Sequence, residues 1–256
     1  MTMTMPEIER VLKQLRLSGV RATLETRIVQ AQGANQAFLE TFSLILQDEL
    51  DRRRSHLVER RYQQSGLDEK LTLAEFDWGF NPKVPRQACF ELHTLKFIAQ
   101  ADNAILIGRP GTGKSHICKA IAYNAILQGY RVCYLDTDEF LAEHALSAPA
   151  ARKTRLRPLI EADLLVLDDL FLSKRIAEGG AELLQSIIHQ RYKLRRSLVV
   201  SSNRVVGDWG DYLGDNVTAT TLLDRLMHRS HLLEFDGKSY RLKEAAEKLA
   251  RRPKSR

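Results

Sequence analysis

The sequence has little that would place it in a membrane or outside the cell. No apolar run approaches the roughly 20 residues that a membrane helix needs, and the most apolar stretch, residues 164–167, is far too short. Residues 1–6 carry neither a basic region nor an apolar core, so no secretory signal is predicted. The three cysteines, Cys89, Cys118 and Cys133, are odd in number and widely spaced, which predicts neither a disulfide framework nor a zinc site. We therefore expect a cytoplasmic protein with no membrane partner.

Composition and charge narrow the class of protein further. With 44% hydrophobic and 28% charged residues in 256, wholesale disorder and fibrous architecture are excluded, and one large domain or a core domain plus a smaller one is expected. The net charge is +7, yet residues 1–75 hold eleven Lys or Arg against eleven Asp or Glu. The whole basic excess therefore lies beyond residue 75, which favours a polyanionic partner, most commonly nucleic acid.

Residues 1–76 are predicted to form a small all-α domain. One helix begins at Pro6 and continues until Gly19, a second covers 20–32, and a third covers 35–64. The third carries apolar residues along one stripe, namely Leu39, Phe42, Leu46, Leu50 and Leu57. The triplet Arg52, Arg53 and Arg54 is interpreted as a solvated face that pairs with Asp48, Glu49 and Asp51.

The residue pattern changes at residues 77–89. We interpret this segment as a linker because Trp78, Gly79, Pro82 and Pro85 cannot continue a helix. Beyond it, five short apolar runs predict strands at 104–107, 131–135, 164–168, 198–202 and 231–235. Residues 114–128 and 181–192 show helical apolar spacing between them. This alternation predicts an α/β domain over 90–243, a five-stranded parallel sheet covered by helices on both faces, followed by a basic tail at 244–256.

The strongest motif is a glycine-rich loop between a predicted strand and a predicted helix. It matches the phosphate-loop pattern at every required position, and we assign nucleotide contacts to it and to the next residue: Gly108, Arg109, Pro110, Gly111, Thr112, Gly113, Lys114, Ser115 and His116. Glycines let backbone N–H groups surround phosphates, and the helix N-terminus adds its positive end. Lys114 is expected to reach the β- and γ-phosphates, and the Ser115 hydroxyl to bind Mg²⁺. ATP with Mg²⁺ is the predicted ligand.

Two further strand ends complete the predicted site. Asp168 and Asp169 follow the buried run 164–167, at the end of the strand where ligands of open α/β sheets bind. Asp168 is placed to hold Mg²⁺ and Asp169 to orient or activate the attacking water. Asn203 follows the strand 198–202 and is expected beside the γ-phosphate, with a plain strand-end cap as the alternative. No Asn-Lys-x-Asp motif occurs, which disfavours a GTPase.

These motifs resemble the Walker A, Walker B and sensor-1 elements of AAA+ ATPases. Within that superfamily the chain is similar to the IstB-like ATP-binding proteins of insertion sequences, relatives of the DnaC helicase loaders. The resemblance includes residues 97–98, 191–192, 208–210, 222–226 and 237–242. It implies an ATPase that binds double-stranded DNA, multimerises on it, and assists a transposase in choosing targets.

The resemblance also implies roles for three arginines. Arg225 is the expected arginine finger that reaches a neighbouring subunit's γ-phosphate, with Arg229 one turn on as the reserve and a surface ion pair with Asp224 or Asp211 as the alternative. The hypothesis for Arg241 is that it acts as a second sensor. The chain departs from many AAA+ proteins in having Asp169 where they carry Glu, which predicts slow hydrolysis.

DNA contacts are predicted in a basic segment, with positive charges at Arg152, Lys153, Arg155 and Arg157. Such residues neutralise phosphates without reading bases, although a solvated helix face is an alternative interpretation. Three other functions stay open: a DnaC-type helicase loader, a small-molecule phosphotransferase, and a binding module that holds ATP without hydrolysing it.

Overall fold

The computed structural model describes residues 3–144, 149–173, 176–213 and 216–250; the side chains at 149–153, 216–219 and 250 lie outside that description. The chain divides into two compact units, Met1–Arg60 and Arg61–Arg256. Residues 61–76, which the sequence groups with the helical domain, therefore fall in the second unit. None of the helices in the described ranges is long and apolar enough to cross a membrane.

The first unit is built from helices. α1 is Met5–Gln14, α2 is Ser18–Ala34, and α3 is Phe38–Ser65, which continues into the second unit. Gly19 does not end the first helix as expected; it lies in the first turn of α2, where its N–H and that of Val20 donate to the buried Glu49 carboxylate at 2.6 and 3.2 Å. A carboxylate there satisfies N–H groups that the helix itself leaves unpaired.

The apolar stripe predicted on α3 faces solvent over most of its length. Leu39, Phe42, Leu46 and Leu50 are all exposed, whereas Ile45 joins Leu12 and Val20 in the small core of this unit. Of the basic triplet, Arg53 pairs with Glu49 as expected. Asp48 pairs instead with Arg27 at 2.7 Å.

The second unit contains the predicted five-stranded parallel sheet. Its strands are β1 Asn103–Gly108, β2 Val132–Asp136, β3 Leu164–Leu170, β4 Ser197–Ser202 and β5 Ser230–Phe235. Their order is β2-β3-β4-β1-β5, and every pairing is parallel. The carboxyl ends of β1, β3 and β4 are therefore neighbours at one edge.

Helices surround this sheet. They are α4 Arg86–His93, α5 Lys96–Gln100, α6 Lys114–Leu127, α7 Thr137–His144, α8 Pro149–Glu161, α9 Gly180–Lys193, α10 Trp209–Leu213, α11 Asn216–Met227 and α12 Tyr240–Ala250. α6 and α9 confirm the two helices predicted between strands. The predicted linker 77–89 overlaps α4, and the predicted tail from 244 begins inside α12; residues 251–256 lie outside the described residues.

The core explains why the central strands read as continuous apolar runs. Ile105, Leu165 and Val200 lie fully buried on one face of the sheet with Leu184 and Ile187 of α9. Residues alternate across a strand, so their neighbours in sequence face the opposite layer, where α6 contacts β3 and β4. With both faces covered, no polar alternation is needed until the strand ends.

Candidate nucleotide-binding site

The phosphate loop joins β1 to α6 through a backbone that only glycine adopts easily. Gly108, Gly111 and Gly113 have φ values of +146°, +76° and +102°. A Cβ at Gly108 would collide with the Phe235 carbonyl oxygen, and one at Gly113 would collide with the Phe76 ring. Close approach and left-handed geometry thus require glycine at these positions.

Lys114, the first residue of α6, is buried with its ammonium held in place by three acceptors. Nζ donates to the carbonyls of Gly108 and Arg109 at 2.8 and 3.0 Å, and to Asn203 Oδ1 at 2.7 Å. Burial lowers the pKa of Lys114, and the nearby Asp169 and Asp168 carboxylates oppose that shift. The ammonium therefore lies beside the ends of β1 and β4.

Asp168 is buried at the end of β3, where both its side-chain oxygens accept hydrogen bonds from hydroxyls. Tyr134 of β2 donates to one and Ser201 of β4 to the other. Its carbonyl accepts from Thr137 Oγ1 at 2.8 Å. Among the described residues Asp168 forms no salt bridge, so its negative charge stays available to a cation.

Asp169 interrupts the β3–β4 ladder in a bulge between Leu167 and Leu170. Its φ is +51°, and its backbone N–H donates to Ser201 Oγ at 3.0 Å. The bulge turns the carboxylate toward Asn203, whose Nδ2 lies 3.4 Å from Asp169 Oδ1. Burial raises the pKa of Asp169, and the adjacent Asp168 raises it further. A left-handed residue in a bulge is one way to aim a side chain at a site.

A cavity of about 230 Å³ collects most of the predicted nucleotide contacts. Its lining residues are Pro110, Gly111, Gly113, Lys114, Ser115, His116, Asp169, Leu172, Asn203, Tyr240 and Arg241. Arg241, the hypothetical second sensor, thus lines the same cavity as Lys114 and Asp169. The beginning of α12 is held there because the Tyr240 N–H donates to the Gly111 carbonyl at 2.9 Å.

A second cavity, of about 110 Å³, adjoins the first through Gly113, His116 and Tyr240. Phe76 and Phe80 line it, and the His116 ring nitrogen Nε2 lies 2.9 Å from the Thr72 carbonyl. Rings and a backbone turn of this kind suit a flat heterocycle. Segment 72–81 therefore contributes to the site, which the sequence did not indicate because it lies within the predicted helical domain and linker.

Arg225 and Arg229 lie near the amino end of β1, whereas Lys114 lies beyond its carboxyl end. They line a pocket of about 280 Å³ with Asn103, the first residue of β1, and the Arg229 carbonyl accepts from the Asn103 N–H at 2.9 Å. Gly108 ends β1 at the phosphate loop. Five residue steps separate the two ends of β1, roughly 16 Å at strand spacing. Among the described residues Arg225 forms no salt bridge, so the ion pairs with Asp224 or Asp211 are not seen.

The basic segment predicted to bind DNA lies on helix α8. Arg155 and Arg157 are exposed, and Arg157 pairs with Glu161 one turn on, at 2.8 Å. The side chains of Arg152 and Lys153 are outside the described residues. The buried Leu156 packs on the other side of the helix.

The chemistry of the donors fits Mg²⁺. The Asp168 carboxylate and the Ser115 hydroxyl are hard oxygen ligands, and Mg²⁺ is commonly held by one or two such side chains together with phosphates. In the described ranges no group of three or more His, Cys, Asp or Glu side chains could bind a metal alone. Bound between these residues, Mg²⁺ would neutralise charge on the phosphates.

A phosphate loop, a double-Asp strand and a polar residue ending the adjoining strand define a P-loop nucleotide-binding protein of the AAA+ type. The sequence model of the IstB-like ATP binding protein family matches residues 10–248. The chain therefore belongs to the IstB-like ATP-binding proteins.

Two relatives illustrate this membership. A Pseudomonas aeruginosa protein named as an ATP-binding protein of insertion sequence IS21 is 34% identical over 242 residues, covering 94% of this chain and 90% of the relative. A Mycobacterium tuberculosis protein named as an ATP-binding protein in an insertion sequence is 30% identical over 237 residues, covering 92% and 94%.

Solved structures support the fold. DnaI matches with a TM-score of 0.55 at 18% identity, over 66% of this chain and 89% of DnaI. The replication initiator DnaA bound to AMPPCP and single-stranded DNA matches with a TM-score of 0.53 at 26% identity, over 73% of this chain and 56% of DnaA.

Proposed function

We propose that this chain hydrolyses ATP with Mg²⁺, multimerises on duplex DNA, and assists a transposase in target selection. The observation that carries the proposal is the convergence of Lys114, Asp169 and Asn203 on one cavity beside the phosphate loop. A lysine that binds the phosphates and a side chain that orients or activates the attacking water are recurring parts of ATP-hydrolysing sites.

In the proposed reaction Asp169 accepts a proton from the water that attacks the γ-phosphate. Burial raises the pKa of this carboxyl, which makes the carboxylate a stronger base once it is ionised. Asn203 contacts both Asp169 and Lys114, so it would hold the base and the phosphate-binding ammonium in register. Aspartate reaches less far than glutamate, and we expect slow turnover.

The position of Arg225 supports action between subunits. The two ends of β1 are roughly 16 Å apart, farther than an arginine side chain reaches, so Arg225 cannot serve the cavity of its own chain. Arg225 lines an open pocket among other basic groups, including Arg195 and Arg229. A neighbouring chain that places its triphosphate there would complete its site, and hydrolysis would require assembly.

Helix α8 is the proposed DNA surface. Arg155 is exposed with no salt bridge among the described residues, and Arg157 has only a solvent-exposed partner, whose attraction is worth little. Exchange of that partner for a DNA phosphate would therefore cost little. Charge without aromatic or amide side chains favours binding with weak sequence preference.

The names of the relatives favour a transposase as partner. Both the Pseudomonas and the Mycobacterium proteins are named for insertion sequences. The similarity to DnaI supports the fold alone, so the helicase-loader alternative has weaker support. Co-purification with the transposase, tested against replicative helicase as the competing partner, distinguishes the two functions.

The proposal is tested by measuring duplex DNA affinity with ATP and with ADP, together with phosphate release. We expect tighter DNA binding with ATP, because assembly multiplies phosphate contacts, and faster phosphate release when DNA is added. Equal affinity with both nucleotides and release that DNA does not change would contradict the proposal. ADP formation that depends on a small-molecule acceptor and occurs without phosphate release would indicate a phosphotransferase.

A further inference from the structure

Two hydroxyls on the strands that flank β3 hold the carboxylate of Asp168 from both sides. Tyr134 of β2 donates to one oxygen and Ser201 of β4 to the other. The sheet order explains the arrangement, since β3 lies between β2 and β4. Each oxygen has two lone-pair directions, so one remains free on each after these bonds form. We call Tyr134 and Ser201 the hydroxyl clamp.

Tyr134 is itself held in place at its backbone and at its ring. Its carbonyl lies against Gly66, where a Cβ would approach that oxygen to 2.7 Å. Lys119 Nζ lies 6.0 Å from the centre of its ring and is fixed by Asp68 and Glu69 at 2.8 and 2.7 Å. A buried tyrosine with such neighbours has little freedom to turn its hydroxyl away.

Ser201 serves both carboxylates of the site. Its hydroxyl donates to Asp168 and accepts from the Asp169 N–H at 3.0 Å, so one side chain links the end of β4 to both residues of the bulge. The serine hydroxyl supplies one proton and accepts another, which uses its donor and one lone pair.

We propose that Tyr134 and Ser201 are positioning residues that orient the Asp168 carboxylate toward the Mg²⁺ of bound nucleotide. The inference rests on the proposed function, because it assumes that Asp168 faces Mg²⁺–ATP. Each hydroxyl contacts the Asp168 carboxylate directly, so the proposed effect on Mg²⁺ runs through Asp168. Partners that orient a metal ligand contribute to metal affinity although they never touch the metal.

The test is a Mg²⁺ titration of fluorescent ATP-analogue binding for full-length wild type, Tyr134→Phe and Ser201→Ala, with a parallel measurement in EDTA. For Tyr134→Phe we expect the half-saturating Mg²⁺ concentration to rise about tenfold, while analogue affinity in EDTA stays within about twofold of wild type. Ser201→Ala should shift it in the same direction. Tyr130→Phe is the matched control, because the Tyr130 hydroxyl has no hydrogen-bond partner among the described residues.

The outcomes separate the clamp from the proposed function. If wild type shows no Mg²⁺-dependent analogue binding, the Mg²⁺–ATP function fails. If wild type depends on Mg²⁺ and Tyr134→Phe has the same half-saturating concentration, the clamp is overturned. An equal loss of affinity with Mg²⁺ and in EDTA also overturns it, because Tyr134 would then only support the core. Thermal unfolding of each variant identifies such a loss.

Discussion

The Lys114 ammonium donates a hydrogen bond to Asn203 Oδ1 at 2.7 Å, which joins the phosphate loop to the end of β4. The same asparagine places its Nδ2 3.4 Å from Asp169. The side chain that binds phosphate and the side chain proposed to bind water are therefore connected through one amide. Removing each of the three should produce a different defect.

Lys114→Ala should weaken ATP binding by about 10- to 100-fold, the range expected for loss of charge-assisted hydrogen bonds worth about 1.5–3 kcal/mol. ATP hydrolysis and ATP-dependent DNA binding should be lost as well, while the fold stays intact. Nucleotide titration measures the effect, and circular dichroism checks the fold. Lys96→Ala, on the exposed side of α5, is the matched control. Unchanged affinity in a folded Lys114→Ala protein would overturn the site assignment.

Asn203→Ala should slow turnover by about tenfold or more, as expected for loss of one oriented polar group, with a smaller effect on binding. Lys114 keeps its two carbonyl acceptors in this variant, so the ammonium stays near the phosphates. Single-turnover hydrolysis and equilibrium binding, measured side by side, separate the two effects. If Asn203→Ala weakens ATP binding and slows turnover by the same factor, Asn203 has only a structural role at the end of β4.

Asp169→Asn should retain ATP binding and slow turnover by about 100-fold, the lower end of the range for general-base catalysis. The change removes the proposed base without touching Asp168, so the ATP-bound multimer on DNA should persist. Phosphate release and the lifetime of the DNA complex report the two effects. Hydrolysis at the wild-type rate would mean that Asp169 is not the base.

Much of this site could be predicted because its signals are local. The glycines of 108–113 lie at and just after the end of β1, Asp168 and Asp169 lie in the last residues of β3, and carboxyl ends of parallel strands share one edge. Tyr134 and Ser201 could not be predicted, since their contact with Asp168 depends on the order of β2, β3 and β4. The position of Phe76 in the second cavity could not be predicted either, because its segment carries no motif.

Two elements of the fold show where sequence patterns mislead. The basic residues after position 244 predicted a tail, yet α12 continues to Ala250, and its first residue hydrogen-bonds the phosphate loop at Gly111. The apolar stripe of α3 gives no sign of whether anything covers it. In the first unit two helices pack on another side of α3, so Leu39 is 73% exposed.

Neutralising Lys153, Arg155 and Arg157 together should weaken binding to all duplexes about equally. Each lost phosphate contact should flatten the dependence of log affinity on log salt by roughly one unit. Affinity across a salt series, on two unrelated duplexes, measures both effects. An unchanged slope would place the DNA surface elsewhere, on the basic residues 248–256 or on Arg52–Arg54 of α3.

The central claim is that the nucleotide site is completed by Arg225 of a neighbouring chain. Arg225→Ala alone should lower DNA-stimulated hydrolysis by at least 100-fold, given the usual contribution of an arginine finger. In a mixture with Lys114→Ala, some interfaces combine an intact lysine from one chain with an intact arginine from the next. Arg195→Ala, in the same pocket, is the control for a general loss of charge.

The most direct test is therefore DNA-stimulated ATP hydrolysis by mixtures of the Arg225→Ala and Lys114→Ala proteins. We predict that both proteins are inactive alone and that equal mixtures recover roughly a quarter of the wild-type rate, because a quarter of head-to-tail interfaces then hold both groups. No recovery at any mixing ratio would contradict a finger donated between chains.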